Sequence, residues 1–482
     1  MSILCDKLKF FLARKGYSMA ELAARSGIER STLYQYIRGT RPLKSRAQLE
    51  ILMAELQLTP DERLELLEAY EIVQVGQVKY DRRCRIREIL GSLLAIEERA
   101  PAIPRLAPGR KLKETGQQLV CGELEVHRLI SHVIYEAVAR DGEIRLLAQP
   151  DNDMLMESLL LLCDGNFRTK VTHIICLEVN GGRDGCRNLE LIRRMLRYGI
   201  GIFQYEPRCY YGCPAEHYGV MTVLPFLVVT EEFAVQISSD WKEAVVSSDP
   251  EIVAFLKRHF ERMRRQSGLL MENVDGAGGN QARWGMDYLQ TGDFSHTFEM
   301  AAGLCSVPFW DGQMIRRYLN EDIPGYDQLL DSYTAYAAAL YQAKRRGEVT
   351  VLMNPVYVEA FIKDGIFREY PSLFFSEPVS AEDRRTIIER ILKAVEEGWY
   401  HIRFLPPEEC LLNHHWEVGV RRGSDLLFQY VFQNQFKIFC FKETDILEAV
   451  YDYMEHISVG ENVLDDVGSA ERLRQWMEEY LS

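Results

Sequence analysis

Near the N-terminus apolar residues recur at spacings of three and four, at Leu4, Leu8, Phe11 and Leu12. That period predicts an amphipathic helix, ended by Gly16. Ser18 stands three residues before Glu21, a pairing that satisfies the first free amides of a helix, so a second helix is predicted through Leu22, Ala23 and Arg25 to Gly27. A third is expected from about Arg30 to Arg38. Leu33, Tyr36 and Ile37 face inward and Arg30, Ser31, Tyr34 and Gln35 outward, before Gly39 and Pro42 break the pattern. Leu49, Leu52, Met53 and Leu56 mark a fourth helix, and Thr59-Pro60-Asp61-Glu62 opens a fifth. Two short helices joined at a glycine, the second polar on its outer side, make a helix-turn-helix.

From Leu119 onward helical periods alternate with short apolar runs. Helices are predicted at Leu119–Arg140, Met154–Cys163, Leu189–Tyr198 and Pro250–Arg264, with strands at Glu143–Gln149, Lys170–Val179, near Ile200–Tyr205 and within Thr222–Ser238. After a glycine-containing stretch the chain reads as helical through Phe298–Asn320 and Tyr326–Arg346. A second alternation follows: strand Val349–Asn354, helix Ala381–Glu397, strands at Tyr400–Leu405, Trp416–Arg421, Leu426–Phe432 and Phe436–Phe441, and helix Lys442–Ile457. Both segments end in the order helix, strand, strand pair, closing helix, which suggests two similar halves. The fold expected is multidomain, an all-α helix-turn-helix head followed by an α/β body of two mixed-sheet halves. The divisions are 1–75 for the head, 76–118 for a helical and proline-containing linker, 119–267 for one α/β domain, 268–292 for a glycine-containing linker, and 293–482 for a second α/β domain suited to dimerisation or sensing.

Composition sharpens this picture at few points. With 482 residues, 47% hydrophobic and 27% charged, the chain is of ordinary globular make-up and long enough for several cores. Its longest strongly apolar stretch, Val220 to Val229, is interrupted by Pro225 and too short to span a bilayer, and the first residues lack a secretory pattern. Eleven cysteines without a repeating framework fit reduced thiols, so a cytoplasmic protein with no membrane partner is expected. The net charge of −14 argues against nucleic acid until its distribution is read. Residues 1–48 hold ten Lys/Arg against three Asp/Glu, a balance of +7 that leaves −21 for the other 434 residues. A small basic head on a large acidic body is the pattern of a polyanion-binding module joined to a part that does not bind.

The run Ser18-Met19-Ala20-Glu21-Leu22-Ala23, followed by Gly27-Ile28, Ser31-Thr32-Leu33, Tyr36, Gly39 and Pro42, closely resembles the lambda-repressor-like Cro/XRE DNA-binding domain. The resemblance covers about 70 residues. It implies a double-stranded DNA operator, with Arg30, Ser31, Tyr34 and Gln35 matching the residues that face base edges, and Ser18, Thr32, Arg38 and Arg41 those near the phosphates. Met19 stands where the family often has Gln, so that phosphate contact is not implied. Family members usually bind as dimers, which assigns the dimer interface to the body.

The half from Glu125 to Met263 also looks somewhat like a degenerate phospholipase D-type half-domain, of the kind some regulators carry as a sensor. That chemistry needs a His nucleophile and a Lys two residues later, and none of the ten histidines has one. No phosphate-binding loop, His-Glu-x-x-His or nucleophile-elbow motif is present, and the glycines at 276, 278 and 279 lack the preceding strand a dinucleotide site requires. The body therefore reads as non-catalytic, without cofactor or metal. Cys209, Cys213 and His217 recur every four residues, but Gly212 and Pro214 oppose the helix that would align them as zinc ligands. Beyond the expected strand ends lie Asp151, Asn152, Glu178, Asn180 and Arg208, candidate contacts for a small-molecule or peptide effector. The function expected is a sequence-specific, homodimeric transcription regulator with a sensing body. The rivals are a degraded phosphodiesterase with a DNA-localising head and a protein-interaction scaffold.

Overall fold

The computed structural model describes residues 2–43, 45–94, 116–160, 169–182, 185–199, 204–213, 223–275, 280–375, 377–432 and 435–481. The chain divides into two compact units, one covering residues 1–84 with 184–186, the other 85–183 with 187–482.

The first unit is all helix: α1 (Ile3–Arg14), α2 (Met19–Ser26), α3 (Arg30–Arg38), α4 (Arg46–Glu55), α5 (Pro60–Val75) and the start of α6 (Gln77–Leu94). Local chemistry sets the boundaries. The Ser18 hydroxyl accepts from the Glu21 amide at 3.2 Å while the Ser18 amide donates to Glu21 Oε2 at 2.7 Å, and Thr59 and Glu62 repeat this at the start of α5. Gly27 and Gly39 close α2 and α3 at φ of 68° and 74°, a region that disfavours side chains. Leu4, Leu8, Phe11, Leu22, Leu33, Leu49, Leu52 and Leu66 form a core of their own.

The second unit has two mixed sheets of eight and seven strands. The first contains β1 (Gln117–Cys121), β2 (Glu143–Leu147), β3 (Lys170–Leu177), β4 (Gln204–Tyr211), β5 (Phe226–Val229), β6 (Ala234–Ile237), β7 (Glu243–Ser247) and β8 (Gly268–Leu269). The second contains β9 (Met271–Asp275), β10 (Thr297–Ala301), β11 (Val349–Met353), β12 (Tyr400–Phe404), β13 (Trp416–Arg421), β14 (Asp425–Phe432) and β15 (Gln435–Phe441). Their spatial orders are β1-β7-β6-β5-β2-β3-β4-β8 and β12-β11-β10-β13-β14-β15-β9. Read from opposite ends, the two are one plan. A parallel triplet (β2-β3-β4 or β10-β11-β12) is joined at its first strand to an antiparallel trio (β5-β6-β7 or β13-β14-β15), and the leading strand β1 or β9 closes the far edge.

The helices are α7 (Glu123–Val138), α8 (Asp153–Leu160), α9 (Arg187–Gly199), α10 (Pro250–Gln266), α11 (Asn280–Thr291), α12 (Gly312–Tyr318), α13 (Tyr326–Arg345), α14 (Pro355–Asp364), α15 (Ala381–Glu396), α16 (Thr444–Ser458) and α17 (Asp466–Tyr480). The closing helix of each half takes an equivalent place, α10 on β2, β5 and β6 and α16 on β10, β13 and β14. Both sheets carry helices on both faces, as largely parallel strands require. No described helix is long and apolar enough to cross a membrane.

Several expected elements differ. The helix expected from Leu119 is a strand, β1, followed by α7 from Glu123, because Gly122 at φ 102° separates them. The strand expected near Ile200–Tyr205 is β4, displaced to Gln204–Tyr211; β4 tolerates Pro207, which has no amide to donate, because only the short β8 pairs on its outer side. The stretch 268–292, expected as a linker, contains β8, β9 and α11, while the linker prolines 101, 104 and 108 lie outside the described residues. The helix expected over Phe298–Asn320 is strand β10 followed by α12. Its five residues are all buried, so no polar alternation betrays it, and Glu299 is neutralised by Lys344 of α13 at 2.5 Å. Burial and the neighbouring carboxylates Glu299 and Glu369 push Glu417 of β13 up to about 8.

His173 ties the first parallel triplet together. It is fully buried on β3, with Nε2 donating to the Ala148 carbonyl after β2 at 3.1 Å and Nδ1 accepting from the Tyr205 hydroxyl of β4 at 2.9 Å. Both bonds suit the neutral ring, and burial holds its pKa down at about 4. The unfolded chain therefore binds a proton that the folded chain refuses, and the stability it contributes falls as pH drops below about 6.5 towards 4. We expect the free energy of unfolding to fall by about 2 kcal/mol between pH 7 and 5 from this group, and His173→Gln to remove that share of the pH dependence. Urea denaturation of both proteins at the two pH values checks it; equal slopes would refute the assignment.

Candidate nucleic-acid interface

The second helix of the pair, α3, is held by its inner side. Leu33, Tyr36 and Ile37 are buried against Leu22 of α2 and the leucines of α4, while Arg30, Ser31, Tyr34, Gln35 and Arg38 are exposed. Ser18 is exposed at the N-cap of α2, and Thr32 and Arg41 are half-buried. Seven of the eight residues expected to meet DNA thus lie on α3 or in the loop just after it, and Ser18 begins the helix before. Met19, where the family often has Gln, packs against the head core.

The electrostatics of the head are one-sided. Of the ten basic residues counted in the sequence, six are ion-paired: Lys7 with Glu65, Lys9 with Asp6, Arg14 and Lys15 with Glu62, Arg25 with Glu55, and Arg46 with Glu50. Lys15 and the Thr59 amide hold the Glu62 carboxyl below its usual range. Lys44 lies outside the described residues. Arg30, Arg38 and Arg41 have no carboxylate partner among the described residues, and all three belong to α3 or the turn after it. Exposed pairs contribute little stability. Their effect here is to leave α3 and its following turn as the part of residues 1–48 that carries uncompensated positive charge.

Two contacts on α3 were not expected from sequence. The Arg38 guanidinium lies over the Tyr34 ring at 4.5 Å, a stack that the i, i+4 spacing permits. Glu29, at the N-cap, makes no capping bond; its Oε1 accepts from the Ser31 hydroxyl at 2.6 Å. Ser31 is therefore engaged, and a carboxylate stands at the head of α3. The acidic partners Glu55, Glu62 and Glu65 were also missed, since they lie on α4 and α5, beyond the span over which charge was counted.

The residues suggested for an effector are each engaged in local contacts. Asp151 pairs with Arg187 at 2.5 Å, Asn152 accepts from the Leu155 amide, and Glu178 has its backbone held by Asn188. The side chain of Asn180 lies outside the described residues. Arg208 lies inside β4, not beyond its end, and its guanidinium is occupied by Ser267 and Glu206. Cys209 is buried, Cys213 is exposed, and His217 falls outside the described residues. Of the basic run in α6, Arg85 pairs with Glu88 and Glu190, and Arg87 with Glu409.

Residues 8–62 match a family model described as helix-turn-helix. None of the curated proteins matches the chain. Among solved structures, TrmBL2, an archaeal chromatin protein described as showing a novel mode of DNA binding, is similar over 52% of this chain and 88% of its own, at 16% identity and a TM-score of 0.22. Phosphatidylserine synthase of Haemophilus influenzae Rd KW20 is similar over 80% of this chain and 95% of its own, at 11% identity and a TM-score of 0.25. Neither likeness is close enough to bear on function. The caps, the two left-handed glycines, the buried inner side of α3 and the family match agree: residues 8–62 are a helix-turn-helix module, set ahead of an α/β body with two mixed sheets.

Proposed function

We propose that the chain is a sequence-specific regulator of transcription that lays α3 in the major groove of an operator. The observation that carries this reading is that, within residues 1–48, the cations without a carboxylate partner among the described residues are Arg30, Arg38 and Arg41, all on α3 or its following turn, while those of α1, α2 and α4 are paired with acids of the same unit. In this reading Gln35 and Arg30 read base edges, the first suited to adenine and the second to guanine. Arg38, Arg41, Thr32 and Ser18 hold the phosphates. The acidic body is assigned the dimerising and sensing role without catalysis, placing two heads about 34 Å apart or a multiple of it on a pseudo-palindromic site. Sequencing of duplex fragments retained by the purified full-length protein tests the reading; recovery without an enriched motif would defeat it.

Affinity for the recovered operator should fall steeply with salt, since docking releases condensed counterions. Arg41→Ala should weaken all duplexes alike and reduce the salt slope by about one, whereas Gln35→Ala should cost about 1–3 kcal/mol on the operator only. Identical behaviour of the two variants would refute the division into base and phosphate contacts.

Glu29 generates a separate expectation. Glu29→Gln removes a negative charge from the N-terminus of α3 and loosens its hold on Ser31, so binding to duplexes of any sequence should tighten at low salt. Fluorescence anisotropy with a random-sequence duplex decides this; unchanged affinity would mean that no phosphate approaches that end of α3.

A further inference from the structure

On the side of the second sheet that faces α13, three potential metal ligands converge. Glu299 comes from the middle of β10, Cys305 from the loop after it, and Glu417 from the neighbouring β13; their ligand atoms all lie within 4.8 Å of one another. Cys305 Sγ is 3.2 Å from Glu299 Oε2 and 3.6 Å from Glu417 Oε1. A tetrahedral zinc ion with oxygen at about 2.1 Å and sulfur at about 2.3 Å has an S···O edge of about 3.6 Å. The two separations therefore fit one coordination sphere. The backbone contributes to this convergence, since Cys305 is held at φ 50°, a conformation that side chains rarely adopt and that persists only where its surroundings impose it.

The shell around these groups is built as well. Lys344, 2% exposed, donates to Glu299 Oε2 at 2.5 Å and lies 3.5 Å from the Cys305 sulfur, and Gln429 Nε2 donates to Glu417 Oε2 at 3.3 Å. Glu369 stands aside from the ligand set, its carboxylate already held by the Ser306 amide and hydroxyl and the Val307 amide. An independent observation points to something more than a closed ion-pair network. Tyr400 is fully buried beside the cluster, its ring 6.0 Å from the Lys344 ammonium, and its hydroxyl makes no hydrogen bond of ordinary geometry among the described residues. A cavity of about 90 Å³ lined by Tyr336, Lys344, Glu417 and Gln429 adjoins the cluster, ample for a solvent ligand.

We propose that Glu299, Cys305 and Glu417 bind a divalent transition-metal ion of the zinc class, with a water from the cavity as fourth ligand. The Cys305 thiol and the Glu417 carboxyl release their protons to solvent as the metal–sulfur and metal–oxygen bonds form. The three deprotonated ligands then carry three negative charges, matched by the ion and the Lys344 ammonium. A thiolate selects zinc over magnesium or calcium. Lys344 and Gln429 orient the ligands by hydrogen bonds. The site lies wholly within the body, so its occupancy is independent of how the head reads DNA.

Titration of chelator-treated full-length protein with Co²⁺ tests the proposal. One equivalent should give a near-ultraviolet thiolate-to-cobalt charge-transfer band and the visible bands of a four-coordinate ion, and Zn²⁺ should displace both. Cys305→Ser should abolish the charge-transfer band, Glu417→Gln should weaken zinc binding by more than about 100-fold, and Cys213→Ser, an exposed thiol elsewhere, should change neither. Circular dichroism and urea midpoints of the metal-free variants confirm folding; if Cys305→Ser does not fold, Glu417→Gln decides alone. A wild-type protein without the band, a band that survives in folded Cys305→Ser, or unaltered zinc affinity in Glu417→Gln would each overturn the site.

Discussion

A charged side chain in the first parallel strand of each half must be neutralised inside the body, and much of the packing around it answers that need. β2 and β10 each lie between a parallel and an antiparallel neighbour, so they have no free edge and little room for water. Arg145 in β2 meets Glu143, Glu231 and Glu261, drawing α10 and the β5–β6 turn onto the sheet. Glu299 in β10 meets Lys344, which fixes α13 across the other sheet. Removing one member of the buried Glu299–Lys344 pair leaves a desolvated charge, at a cost of about 3–5 kcal/mol, while the pair itself need add little. The charges therefore set which helix lies where, and the apolar residues around them supply the stability.

In the head the same physics works at the surface, where pairing is weak and its value is positional. Glu55, Glu62 and Glu65 on α4 and α5 oppose the cations of α1 and α2. What remains is an arginine-bearing side on a helix whose opposite side is anchored by Leu33 and Ile37. A total charge would not have shown this, since the whole chain is acidic. Pairing between neighbouring helices is what leaves α3 and its turn with unpaired arginines.

How far the sequence was legible follows from where the information resides. Head boundaries depend on caps three residues long and on glycines, so Ser18, Gly27, Gly39 and Thr59 could be read directly. The last strands of the second sheet were legible too, because β13 alternates cleanly between buried and half-buried positions. β10 was not: all five residues are buried, and the acid among them is satisfied by a lysine 45 positions later. The short helices α14 and α17 went unread, as did β7. The cluster of Glu299, Cys305 and Glu417 spans more than a hundred residues and has no spacing signature; only the register of β10 against β13 brings it together. Arg208 was placed beyond a strand end for a related reason, since a strand end misread by a few residues turns an interior position into an apparent loop.

The division of labour within α3 has an evolutionary consequence. Its buried side secures the helix, while Arg30, Tyr34, Gln35 and Arg38 contribute almost nothing to the head core. Substitutions on that outer side are nearly neutral for folding, so under the proposed function operator preference can drift without a compensating change elsewhere. On that reading, descendants of one ancestral chain could share every core residue of the head and yet govern unrelated sets of genes.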